Sequence, residues 1–314
     1  MDVAILGRIG YDLYSEEPDV RLPNVRTFSR YLGGSSANMA VGLTRLGAKV
    51  SIISALGTDA LSDFLVDFLN KEGVDTARVQ RKAGYLPSLC LTEVTPPDRF
   101  PQVFYRHDAV DTLLETAPGD LEAVGGARMF ITNGTSLCAS PSREATYRAL
   151  ERAKAAGAKV VFDVDFRAMS WKSPEEAGLA VRLALPYIDV LIGNQPELML
   201  VAATQDLDSA TAKLKASGVS VLVSKLGEQG TRVFAGGAET FLPPYKVDVC
   251  TTIGAGDGFA SGFLYALLQG LPIEECLHHG NAAAAIVVSR LSCSEAMPRL
   301  EEVKALMSAQ RRDR

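Results

Sequence analysis

Gly254-Ala255-Gly256-Asp257-Gly258-Phe259 stands at the head of an apolar stripe in which Phe259, Phe263 and Leu267 recur every four residues. That period is helical and Gly270 supplies a stop, so the segment reads as a helix over about 255–269. Consecutive small residues in its first turn let backbone N–H groups converge on one point, and the helix dipole adds positive potential there. Such a corner suits a phosphate group in transfer. Asp257, in the same turn, can take a proton from a hydroxyl that attacks the phosphorus. Gly254, Ala255, Gly256 and Asp257 are therefore the candidate catalytic residues; the plainer alternative is an Asp that caps a helix after a glycine turn. The chain has no G-x-x-x-x-G-K-[ST], which excludes a P-loop, and no G-x-G-x-x-G follows its first strand.

Working outward, apolar runs at 129–132, 159–162, 190–192 and 219–223 alternate with helical segments. This rhythm predicts an α/β fold with a parallel sheet covered by helices on both faces. Earlier, a strand at 3–6 leads into a turn-rich passage with Pro18 and Pro23. Gly33-Gly34-Ser35-Ser36 follows, where Ser35 or Ser36 can cap a helix carrying Met39, Leu43 and Leu46. A strand at 50–53 precedes a helix with Leu61, Phe64, Leu65, Phe68 and Leu69 on one stripe, stopped by Gly73. From 86 to 106 the pattern is β-like and broken by Pro96-Pro97 and Pro101. Residues 231–245 read as an antiparallel excursion around Gly236-Gly237, and two helices, the second over about 272–290, close the chain. With no repeat or linker, residues 1–314 read as one domain. The two early β-like passages, about 11–34 and 85–110, read as a small sheet standing off the main body.

The 314 residues carry a net charge of −5, with Lys and Arg dispersed, so neither nucleic acid nor an anionic membrane is an expected partner. No apolar run approaches the ~20 residues of a membrane span. The five cysteines show no C-x-x-C spacing and read as reduced structural thiols. The N-terminus lacks a basic n-region, so the expected location is cytoplasmic. His107, His278 and His279 suggest no metal site.

Polar residues gather where parallel sheets bind ligands, after the strands: Asp12, then Gly33-Gly34 with Asn38, then Asn194-Gln195-Pro196-Glu197, then Ser224-Lys225-Leu226-Gly227-Glu228-Gln229-Gly230. In their order and spacing, together with the Gly254–Asp257 segment, they resemble the ribokinase-like carbohydrate kinases over essentially the whole chain. The resemblance implies a doubly wound, mostly parallel sheet flanked by helices, with the small sheet as a β lid. It implies ATP and Mg²⁺ as cofactors and a homo-oligomer, a dimer or larger. Asp12, Gly33, Gly34 and Asn38 would hold sugar hydroxyls. Asn194 and Glu197 would organise Mg²⁺ and phosphate through water, Ser224, Gly227 and Gly230 would line the nucleotide site, and Asn281 would lie on its adenine side.

Three further stretches carry a closer similarity: 104–111, 162–167 with Trp171, and 289–298. They resemble the branch of that family acting on 5-dehydro-2-deoxygluconate, a keto-sugar acid of inositol catabolism. A carboxylate must then be bound, with Arg106 and Arg167 as candidates, because a guanidinium fork matches a carboxylate bidentately; Tyr105 is a further substrate-binding candidate. Each arginine can instead form a structural ion pair with a neighbouring Asp. A 2-keto-3-deoxygluconate kinase, a neutral-sugar kinase and a non-catalytic sugar-binding regulator remain open as alternatives. Thr251 occupies the position where the family usually has an acidic residue that shapes a monovalent-cation site, which puts potassium activation in doubt.

Overall fold

Strand β1 (Val3–Leu6) is buried on both faces in the computed structural model, which describes residues 1–96 and 99–311. Val3 and Ile5 point into one hydrophobic core, Ala4 and Leu6 into a second. The same alternation recurs along the central strands: Met129 and Ile131 against Phe130, Val190 and Ile192 against Leu191. Near-continuous apolar strands of this kind require cover on both sides.

The strands are β1, β2 (Gly10–Ser15), β3 (Phe28–Gly33), β4 (Val50–Gly57), β5 (Asp75–Lys82), β6 (Ser88–Thr92), β7 (Gln102–Tyr105), β8 (Met129–Asn133), β9 (Lys159–Asp163), β10 (Val190–Asn194), β11 (Val221–Lys225), β12 (Thr231–Ala235) and β13 (Ala238–Leu242). Nine form one sheet in the order β13-β12-β11-β10-β9-β8-β1-β4-β5, parallel except where β12 and β13 fold back. Gly236 and Gly237, both at positive φ, make the turn between those two. The helices are α1 (Ser35–Arg45), α2 (Ala60–Lys71), α3 (Pro118–Gly126), α4 (Ser142–Ala156), α5 (Pro174–Ala184), α6 (Gln195–Ala202), α7 (Leu207–Ala216), α8 (Ala255–Leu268), α9 (Ile273–Val288) and α10 (Leu300–Arg311). One core takes Met39, Leu65, Phe263 and Leu277 from α1, α2, α8 and α9. The other takes Val124, Ala149, Val181, Val201 and Leu214 from α3 through α7.

A second sheet, β3-β2-β6-β7, is built from strands inside the passages about 11–34 and 85–110. Pro97, in the break expected at Pro96-Pro97, lies outside the described residues, as do residues 312–314. Asp12 sits in the middle of β2, paired with Tyr31 of β3 and Cys90 of β6.

Two elements escape the sequence reading. β5 is an edge strand, half-exposed and carrying Arg78, Arg81 and Lys82, charges that suit an edge but mask the apolar alternation. α10 adds a third helix to the two expected at the end; Val303 and Met307 pack it on Ala282 and Ile286 of α9. The α1 cap also differs. Gly34 is the N-cap residue, at φ 92°, and neither Ser35 nor Ser36 caps the helix. A Cβ on Gly34 would lie 2.5 Å from the Arg8 carbonyl oxygen.

Helices α8 and α9 approach each other through glycine. A Cβ on Gly262 would overlap the backbone carbonyl of His279, and one on Gly280 would meet the Phe259 ring at 2.7 Å. Backbone atoms cannot yield as a side chain does. Gly262→Ala is therefore expected to lower the unfolding free energy by about 1–3 kcal/mol, read as a lower urea midpoint. An unchanged midpoint would show that the two helices separate at little cost.

Candidate active site

Strand order reverses between β1 and β8: from β1 the chain moves outward to β4 and β5, then returns to β8 and proceeds the other way. Such a switch point leaves a crevice beyond the carboxyl ends of the strands. A cleft of about 500 Å3 lies there. Its floor includes Arg8 beyond β1, Asp163 ending β9, Asn194 ending β10 and Lys225 ending β11. The second sheet supplies the opposite wall through Asp12, Gln102 and Phe104.

Asp257 faces this cleft from the first turn of α8. Ser35 Oγ donates to its Oδ1 and Asn38 Nδ2 to its Oδ2, each at 2.7 Å. Asn38 is held in turn, because Ser294 Oγ lies 2.5 Å from its Oδ1 and 2.8 Å from the Leu32 carbonyl. Burial raises the Asp257 carboxyl above its ordinary range, and Asp165 raises it further, against the hydrogen bonds of Asn38 and Ser35 and the charge of Arg167. Asp12 is also buried, and no residue among those described donates a hydrogen bond to its carboxylate. Burial pushes it up to about 6, although Arg8 and Arg167 oppose the shift. A side chain on Gly33 would overlap that carboxylate, so Gly33 makes room for Asp12 and does not itself line the cleft.

Lys225 Nζ lies 3.2–3.3 Å from both carboxylate oxygens of Asp163. Burial works against its charge, but Asp163, Glu197 and Asp257 hold its pKa above the ordinary value. Asn194 and Glu197 form a reciprocal capping box on α6: Glu197 N donates to Asn194 Oδ1 at 2.9 Å, and Asn194 N to Glu197 Oε2 at 2.7 Å. Phe166 N donates to Glu197 Oε1, so each carboxylate oxygen keeps a lone pair free. A second, apolar cavity of about 520 Å3 adjoins the first and shares Lys225, Gly227, Thr252, Ala255 and Gly256 with it. Gly230, Tyr245, Val247, Phe259, Asn281 and Val288 line its depth. The Asn281 amide is already engaged, accepting from Thr231 Oγ1 and donating to the carbonyls of Leu242 and Pro243.

The cleft thus assembles Asp12, Gly34, Asn38, Arg167, Asn194, Glu197, Gly227 and Gly254–Asp257 of the sequence candidates. Four candidates line neither cavity: Gly33, which only makes room for Asp12, and Tyr105, Ser224 and Arg106. Tyr105 points away and is exposed, because β7 presents alternate residues and turns Gln102 and Phe104 to the cleft. Ser224 is fully buried within β11 and lines neither cavity. Arg106 is committed inside the protein: Nε and Nη2 donate to Asp111 Oδ2 at 3.2 and 2.5 Å, Nη2 also to the Thr135 carbonyl, and Nη1 to Ser170 Oγ and Cys138 Sγ. All five of its donors are spent. Arg167 pairs with Asp165 at 3.1 Å yet remains half-exposed on the cleft wall. Sequence reasoning missed Arg8, Gln102 and Phe104 as site residues, and gave no role to Lys225 or Asp163.

The sequence matches the profile described as pfkB family carbohydrate kinase over residues 1–300. A 5-dehydro-2-deoxygluconokinase of Shouchella clausii (strain KSM-K16) is 39% identical over 313 residues, covering 98% of this chain and 96% of that protein. Among solved structures, a fructokinase with bound ATP from Xylella fastidiosa superposes with a TM-score of 0.85 at 27% identity, over 98% of this chain and 99% of that one. A putative ribokinase II from E. coli in complex with ATP and Mg²⁺ shares the fold with a TM-score of 0.90 at 21% identity, over 98% and 99%.

The Arg106 geometry makes a separable prediction. Arg106→Met strands Asp111 in the interior and is expected to cost roughly 3–5 kcal/mol of stability, the range for breaking a buried ion pair, measured by chemical denaturation. Wild-type stability with a raised KM for the sugar would instead place Arg106 in the cleft.

Proposed function

We propose that this chain, which belongs to the pfkB family of carbohydrate kinases, transfers the γ-phosphate of ATP to 5-dehydro-2-deoxy-D-gluconate, giving the 6-phosphate in myo-inositol catabolism. The observation that carries the reading is the position of Asp257. Its carboxylate stands at the N-terminus of α8, on the polar cleft, directly after Gly256, where that cleft meets the apolar cavity. The similarity to 5-dehydro-2-deoxygluconokinases over nearly the full chain supports the sugar acid. Arg167, and not Arg106, is the cation of the original pair that the cleft makes available.

In this reading the adenosine of ATP fills the apolar cavity and its phosphates cross at Gly254, Ala255 and Gly256. Backbone N–H groups there, with Lys225, take up the charge of the phosphoryl group as it moves. The sugar lies in the polar cleft against Asp12, Gly34 and Asn38. Its hydroxyl gives a proton to Asp257 while the oxygen attacks the γ-phosphorus, and ADP leaves. Ser35 and Asn38 fix both oxygens of the base, so it needs no reorientation at the moment of reaction. Among the described residues no cluster of three His, Cys, Asp or Glu side chains is arranged to hold a metal directly. That donor set fits Mg²⁺ carried on the phosphates and reached through water by Asn194 and Glu197. Bound in this way, Mg²⁺ would neutralise phosphate charge. The four-stranded sheet would act as a lid that excludes water and favours transfer over hydrolysis.

Asp257→Asn keeps the hydrogen-bonded shape and removes the proton acceptor. It is expected to lower kcat by on the order of 10²–10⁴-fold with ATP affinity little changed, in an ADP-coupled assay over keto-sugar acids and neutral sugars. Near-normal kcat would remove Asp257 from the chemistry, and equal turnover of fructose or ribose would remove the sugar acid. Because burial raises both Asp12 and Asp257, each takes up its proton at a higher pH than an ordinary carboxylate. kcat/KM should therefore fall as the pH is lowered through about 6. A profile flat down to the ordinary range near about 4 would contradict this. Thr251 offers no charge to a monovalent cation, so potassium is expected to stimulate weakly against tetramethylammonium at equal ionic strength. Activation on the order of tenfold would show that neutral oxygens suffice to hold the ion.

A further inference from the structure

We propose that Arg8 anchors the carboxylate of the sugar acid and sets the preference for acids over neutral sugars; this rests on the sugar-acid reading above. Arg8 follows β1 at the switch point of the sheet, lines the polar cleft and is only 6% exposed. A guanidinium so buried normally has a carboxylate in contact, because an uncompensated charge in the interior is costly. Arg106 shows the usual solution, with Asp111 beside it. Arg8 has none: among the described residues no carboxylate oxygen lies within 4 Å of it. Nη1 donates to Ser88 Oγ at 3.1 Å, and Nε is buried without a partner.

The surroundings hold this guanidinium in place. The Phe104 ring lies under it, 5.9 Å from centroid to Cζ. Gly10 clears the space, since a Cβ there would stand 2.7 Å from Nη1. Phe104, Ser88 and Gly10 thus fix the direction of the fork while its strongest bonds stay unmade, as expected of a side chain kept for an anionic ligand.

Position along the cleft agrees. The Arg8 guanidinium is held at the second sheet, by Ser88 of β6 and the Phe104 ring of β7, whereas Asp257 is bound by Ser35 and Asn38 of α1. Among the described residues no hydrogen bond or ion pair joins the two, so Arg8 meets a ligand from the second-sheet wall, apart from the base. A six-carbon acid phosphorylated at C6 presents its C1 carboxylate at the end opposite the reacting hydroxyl. Arg167, already paired with Asp165, would flank the chain between the two ends.

The test compares Arg8→Met and Arg8→Lys with the parent enzyme on 5-dehydro-2-deoxygluconate and on the neutral analogue reduced to the alcohol at C1. In Arg8→Met the ratio of kcat/KM for acid over alcohol should collapse by roughly 30- to 3000-fold, the range for leaving one partner of a buried charge pair alone. The loss should fall mainly on KM, because the carboxylate is remote from the reacting atoms. Lysine should restore part of the ratio, since a point charge replaces the fork incompletely. Thermal unfolding separates this role from a structural one. Removing an unpaired buried charge should leave Tm of Arg8→Met equal or higher. A lowered Tm with equal losses on both substrates would make Arg8 structural and overturn the proposal. So would an acid preference that survives in Arg8→Met. A parent enzyme with no preference for the acid would overturn the sugar-acid reading itself.

Discussion

The arrangement depends on one carboxylate held where two helices begin. Asp257, in the first turn of α8, accepts from Ser35 and Asn38 in the first turn of α1. A charge taken out of water is costly without hydrogen bonds, and those of Asp257 bind the two helix starts to each other through the group expected to do the chemistry. The rest of the contact is built to permit the approach. Ser261 Oγ donates to the Asp257 carbonyl one turn along α8, and Gly42 of α1 faces it without a side chain, which would overlap it. Gly34 lets the chain enter α1 against the Arg8 backbone, and the glycines between α8 and α9 fix α8 from behind. A shift of either helix would displace the Asp257 carboxylate.

The electrostatics of the cleft follow from that placement. Asp12, Asp163, Asp165 and Asp257 crowd one region, and burial raises Asp12, Asp163 and Asp257. Arg8, Arg167 and Lys225 offset them in part. Each of the two cations with an acidic partner, Arg167 and Lys225, is tied to one of these aspartates, and only Arg8 is without one. In the proposed reading a polyanionic nucleotide would meet a site whose positive charge is local, set at the α8 N-terminus and Lys225, within a protein of net charge −5.

Much of this was legible in the sequence because the central strands carry their burial openly. Apolar runs ending at 132, 162, 192 and 223 each continue in the structure by one or two residues, to Asn133, Asp163, Asn194 and Lys225, and the last three of these line the cleft. The motif at 254–257 announced itself through glycine spacing. What stayed hidden has physical reasons. Tyr105 and Phe104 differ by one position in a strand, and side-chain direction there depends on a register that composition does not reveal. Arg106 and Arg8 look alike as letters; what separates them is the presence of Asp111 beside one and its absence beside the other. β5 was obscured by the charges that protect an edge, and α10 by a largely polar sequence in which Val303 and Met307 are buried and Leu300 and Leu306 partly so.

Transfer from ATP to the terminal hydroxyl of a sugar acid, with water kept out, is the reaction proposed for this cleft. Phosphorus NMR of one reaction mixture, ATP with Mg²⁺ and 5-dehydro-2-deoxygluconate, tests it without coupling enzymes. The γ-phosphate signal of ATP should be replaced by a single phosphomonoester split by the two C6 protons, with little inorganic phosphate. Release of inorganic phosphate alone, or a phosphomonoester at another carbon, would contradict it.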